Sequence, residues 1–231
     1  TGSSIANAVT FTNTGTLALG ASGGTQTYTA GLTTTGVTGV VTLKGTLNTT
    51  NTAMVFGAIS LGADTALRTN ATTTAGDITL GAVTLAGYGL TASTGTSVAA
   101  ADLSGTTVSG LGSITLQNIG GTASFTGAVS ATSLTVASSV NNVVLSGSGG
   151  TITNAVTFSN AGTLALGQSG GTQTYTGGVT AVAPSTITLN GTIQTTNTAL
   201  TLNAFTLGSD VTLSTNATTS DGLIKIGTIT G

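Results

Sequence analysis

The chain has no cysteine, histidine, tryptophan or glutamate, and a single proline, Pro184, in 231 residues. Charge is nearly as scarce. Three basic residues (Lys44, Arg68, Lys225) and five aspartates (Asp64, Asp77, Asp102, Asp210, Asp221) make up 3% of the positions, where an ordinary globular domain carries about 25%. So few lysines and arginines exclude the clustered positive footprint that nucleic-acid binding requires. They also exclude a polybasic membrane anchor. Apolar runs end after a few residues at Thr, Ser or Gly, well short of the about 20 needed for a spanning helix. The first residues show neither a start methionine nor a basic leader region, so an export signal is expected outside them.

What is present is a chain of threonine, glycine and small apolar residues. Threonine fills about a quarter of the positions and hydrophobic residues 39%. Glycine, serine and threonine tracts often mark disorder, but this much apolar side chain, often β-branched and spaced at two, gives a core to bury. Short strands recur, each closed by a glycine or nearly so: Leu17-Ala18-Leu19-Gly20, Val41-Thr42-Leu43-Lys44-Gly45, Ile59-Ser60-Leu61-Gly62, Ile78-Thr79-Leu80-Gly81. Alternation at period two puts Val41 and Leu43 on one face, Thr42 and Lys44 on the other. Taking Leu19, Leu43, Leu61 and Leu80 as successive anchors gives rungs of about 18–24 residues, enough for two or three strands joined by Gly, Asn, Ser and Thr corners. Ile114-Thr115-Leu116, Leu134-Thr135-Val136 and Val143-Val144-Leu145 keep the signal through the middle. The fold class predicted is all-β: a parallel β-helix, or β-solenoid, of about ten or eleven rungs, with no helix.

A long repeat overlies the rungs. Residues 5–33 return at 152–180 with 23 of 29 positions identical, and after a one-residue slip 42–84 match 188–230. One unit is therefore about 147 residues: 1–147 form the first, and 148–231 a partial second that continues it. The second stops opposite Leu85, which predicts a segment of a longer tandem array. The two copies also test the inward assignment. Leu47 exchanges with Ile193, Met54 with Leu200, Phe56 with Leu202, Ile59 with Phe205 and Val83 with Ile229, apolar for apolar; Thr65 faces Val211. Outward positions change charge freely: Lys44 with Asn190, Arg68 with Ser214, Thr79 with Lys225.

The LTL-G strands, the LG-x-D and TNATT segments and the Thr, Gly and Asn richness without cysteine resemble the repeat regions of large secreted bacterial exoproteins of the filamentous haemagglutinin type. That resemblance covers essentially the whole chain. It implies a right-handed parallel β-helix, export to the cell surface or medium, and adhesion or matrix roles. Absence of cysteine agrees with export through a pore in the unfolded state. This chain departs from such proteins in its very low charge and shows no secretion domain.

Candidate sites are few. β-Helix enzymes that cleave polysaccharides use clustered carboxylates, but here Asp64 and Asp210 are repeat equivalents placed to form Asx turns at corners. Asp77 aligns with Leu223 and Asp221 with Ala75, and no His or Glu is available as a tuned acid or base. No catalytic residue, cofactor site or metal site is expected; isolated aspartates cannot supply the six to eight oxygens of calcium. The glycine pairs Gly23-Gly24 and Gly170-Gly171 lack the lysine and strand-to-helix context of a phosphate loop and are assigned to corners. Tyr28 and Tyr175 recur inside TQTYT and are the candidates for stacking on a sugar, against the simpler alternative of packing along the rod. Asn48, Asn70, Asn190 and Asn216 lie in N-x-T sequences and are expected in corner turns or ladders. The TxT strings suggest an ice-binding array, which needs a constant rung length that these rungs lack. The leading expectation is a structural protein, a segment of an extracellular fibre or adhesin stalk that self-associates end to end or laterally. A glycan-binding adhesin is the alternative.

Overall fold

The computed structural model describes residues 2–231. All regular structure among them is β: 27 short strands, every named pair parallel, and no helix. The chain winds as a β-solenoid of about ten turns with three faces. Face I stacks Val9, Leu32, Met54, Ile78, Leu103, Ala123, Val143, Leu164 and Ile187 in register, and closes on Phe205 and Ile229. Face II runs through Leu17, Val41, Ile59, Val83, Val108 and Val129, then Ile152, Tyr175 and Thr195. Face III runs from Ile5 and Tyr28 through Ala92, Leu116, Val136 and Phe158 to Val179, Leu200 and Ile224. The turns differ in length. Partners in adjacent turns are as near in sequence as Thr188 and Thr206, and as distant as Ile78 and Leu103.

Alternation decides the inside as expected. The strand Val41–Asn48 buries every second side chain, and Ile59–Arg68 buries Ile59, Leu61, Ala63, Thr65 and Leu67. These apolar side chains form one core cluster along the axis, with Phe56, Phe125 and Phe158 among its largest buried members. Fully burying a Leu, Ile or Phe contributes about 1.5–3 kcal/mol, so the stack stabilises itself turn by turn. Gly105 lets Phe125 fit, because a Cβ there would meet the Phe125 ring edge at 2.5 Å.

Two sequence expectations change. Leu19, Leu43 and Leu61 do stack on face II, but Leu80 pairs with Phe56 on face I. The chain crosses a corner between Arg68 and Ile78, so the fourth anchor belongs to a different wall. Threonine is also not simply outward. Thr49, Thr69, Thr94 and Thr195 are fully buried beside corner loops, where each hydroxyl donates to a loop carbonyl: Thr49 to Thr52, Thr69 to Gly76, Thr94 to Ala101 (2.8 Å), Thr195 to Thr198 (2.6 Å). A satisfied hydroxyl removes most of the cost of burying it.

The register also fixes how the repeat maps on the turns. Val9 lies on face I, but its sequence equivalent Val156 lies on face III. Leu17 on face II becomes Leu164 on face I, and Tyr28 on face III becomes Tyr175 on face II. Each of these equivalent pairs is displaced by one wall. Six turns carry Val9 to Val143 on its own wall, and two further walls bring the chain to Val156.

Candidate functional site

Tyr28 and Tyr175 are 3% and 2% exposed. Neither offers a ring face to a ligand. Each phenol donates to the glutamine two residues before it, Tyr28 to Gln26 Oε1 at 2.9 Å and Tyr175 to Gln173 Oε1 at 3.1 Å. Tyr175 also meets Phe158 edge-on, with ring centroids 6.2 Å apart and planes at 80°. Burial holds both phenols above their ordinary range, Tyr175 far more than Tyr28. These tyrosines are parts of the stack.

The third tyrosine is different. Tyr88, bracketed by Gly87 and Gly89, is 39% exposed and borders a shallow groove of about 580 Å³ on the edge between faces II and III. Its floor is built where strands bend. Gly45 interrupts Val41–Asn48 at φ +67°, and the register of that strand on Ile59–Arg68 shifts between Leu43 and Gly45. A Cβ on Gly45 would strike the carbonyl oxygens of Ala21 and Gly24, so only glycine keeps this corner. Gly23, Asp64, Gly89 and Ser113 continue the groove over successive turns. Asp64 Oδ1 accepts from the Gly89 amide at 2.8 Å. The expected local Asx turn is replaced by a bond to the next turn, because parallel stacking sets that amide directly above the carboxylate.

The same device recurs at other corners. Asn51 Oδ1 accepts from the amides of Thr72 (2.6 Å) and Thr73 (3.0 Å), and Asn197 from Thr218 (2.6 Å) and Thr219 (3.1 Å). Asp77 and Asp102, far apart in sequence, sit in adjacent turns: Asp77 accepts from the Asp102 amide at 3.0 Å, and Asp102 from Thr122 at 2.6 Å. The repeat alignment could not show this neighbourhood, and turns of unequal length kept the spacing from showing it. Asp210 stands at the position equivalent to Asp64, within Phe205–Ser214. Asn70 and Asn216 occupy left-handed corner positions at φ +48° and +44°, while Asn48 and Asn190 fall inside strands. Lys44 lies across Gly62 of the next turn, where a Cβ would meet its Cε at 2.6 Å. Arg68 and Lys225 are exposed.

Among the described residues no group of three or more His, Cys, Asp or Glu gathers, and no helix is long and apolar enough to cross a membrane. Chemically, the groove offers one aromatic ring, one carboxylate, serine and threonine hydroxyls and bare glycine backbone. That combination suits a neutral, hydroxyl-rich ligand. Comparison with known proteins returns no matching family model, no matching curated protein and no matching solved structure.

Proposed function

We propose that this chain is a structural segment of an extracellular fibre or adhesin stalk, in which the long sequence repeats continue one solenoid end to end. The observation that carries the reading is the continuity of the two copies of the repeat: face I stays in register from Ala123 and Val143 in the first unit to Leu164 and Ile187 in the second, with every strand pair parallel. One solenoid therefore runs through the junction, and open strand edges of such a stack pair readily with further strands. The extracellular setting rests on the resemblance to secreted exoproteins and on the absence of cysteine. With a net charge of −2, like-charge repulsion between neighbouring rods is weak, which favours lateral association as well.

Electron microscopy and fibre diffraction of the purified chain test this reading. Continuous filaments with a meridional repeat of about 4.8 Å support it, and short discrete particles at all concentrations overturn it. The Tyr88 groove favours a second role, glycan binding by the stalk. A glycan array probed with the chain and with Tyr88→Ala decides it: a neutral-saccharide signal lost in the variant supports the role, and no signal, or one that survives the substitution, removes it.

A further inference from the structure

The displacement of repeat equivalents by one wall makes the unit six and two-thirds turns long rather than a whole number. Local geometry is nevertheless copied. Gly45 and Gly191 share φ values of +67° and +63°, and Gly23 and Gly170 share +67° and +69°. The Thr46 amide donates to Gly24 at 2.8 Å, as the Thr192 amide does to Gly171. A Cβ on Gly191 would strike Gln168 and Gly171 carbonyl oxygens, the counterparts of the pair over Gly45. The glycine corner of Gly23 and Gly45, on the edge between faces II and III, is thus repeated by Gly170 and Gly191 on the edge between faces I and II.

We propose that the unit is a module of six and two-thirds turns that carries its corner groove to a new edge at each repeat, so that an array offers the same groove on all three edges in rotation. The proposal rests on the tandem-array reading for its extension beyond this chain. At about 4.8 Å per turn, grooves follow one another about every 32 Å along the rod, and return to the same edge only after twenty turns, about 96 Å. The arrangement is a row of sites wound around the fibre. The occupant that this spacing fits is a flexible, hydroxyl-rich polymer that coils about the rod and meets one groove per unit.

Because the chain has no cysteine, introduced pairs report the phase directly. Thr135 and Thr157 are outward neighbours on face III, beside the Val136–Phe158 bridge. In a module of whole turns, Thr157 would instead take the place of Thr10 on face I, beside Val144. A short bis-maleimide is expected to link Thr135→Cys to Thr157→Cys in high yield, and to leave the Val144→Cys, Thr157→Cys pair unlinked. The opposite pattern, or equal linking of both pairs, overturns the proposal. Failure of the chain to form filaments counts against the fibre reading alone, since cross-linking reads the phase within single molecules.

Discussion

The two copies of the long repeat differ in burial although their inward side chains exchange mostly apolar for apolar. In the first half of the repeat the second copy is better covered: Phe158 and Val156 are fully buried, while Phe11 and Val9 are half-buried. In the second half the order reverses, with Val83 at 1% exposure and Ile229 at 48%. Side-chain identity cannot explain the reversal. What changes is the number of turns above and below each residue, so burial here is a property of place in the stack. Corner geometry behaves oppositely, since Asn51 and Asn197 adopt φ of +56° and +54° and bond the next turn at nearly the same distances. Sequence sets the corner, and turn count sets the wall and the depth.

The largest expected break in this comparison comes from its tyrosines. Tyr175→Ala opens a void between Phe158 and the neighbouring turns, and large aromatic truncations in cores cost about 3–5 kcal/mol. Tyr28→Ala, with fewer turns beneath it, is expected to cost distinctly less, as denaturant midpoints of the two variants will report; equal losses would show that depth in the stack does not matter. Alkaline pH probes the same pair. Burial raises both phenol pKa values above the ordinary value of about 10. The unfolded chain therefore releases these protons first, so stability present below about pH 10 falls as pH rises through and above that value. Tyr175→Phe should flatten the fall more than Tyr28→Phe, measured as midpoint against pH.

Next in size is a site on face I in the stretch between the two matched segments. Gly105 leaves room for the Phe125 ring in a column of face I otherwise filled by Phe56, Leu80, Leu145 and Leu166. Gly105→Leu overpacks that column at an expected cost of about 1–3 kcal/mol. Combining it with Phe125→Leu should recover much of the loss in thermal denaturation. If the double variant is no better than the sum of its parts, the column is not packed by size.

Much of this was legible in the chain. Period-two alternation found the buried positions of Val41–Asn48 and Ile59–Arg68, and glycine closure found the corners. The number of walls was hidden, because turns of unequal length leave spacing unable to separate a full turn from a turn less one wall. Leu80 follows Leu61 at nearly the interval by which Leu61 follows Leu43, so it looks like the next rung and is not. The buried column of Thr49, Thr69 and Thr94 was hidden as well, since a threonine that bonds a loop carbonyl looks the same in sequence as one that faces water. Tyr88 escaped because it lies just past the matched residues 42–84, and repetition had directed attention to Tyr28 and Tyr175. Its only local signal was the pair of flanking glycines, which leaves a ring unsupported on both sides.

The smallest effect gives the sharpest comparison, because it concerns a feature that should not depend on depth. Asn51 and Asn197 each hold two amides of the following turn through one oxygen, with a left-handed backbone that asparagine tolerates better than alanine. Substitution by alanine loses the bonds and adds backbone strain, about 1–2 kcal/mol together. Substitution by glycine keeps the backbone relaxed and loses only the bonds, so it should cost less at both sites. If corners are set by sequence alone, the alanine-to-glycine difference is the same at 51 and 197 even though the two lie on different edges and at different depths. Unequal differences in chemical-denaturation midpoints would mean that the stack reshapes its corners, and the separation of local geometry from wall and depth would fail.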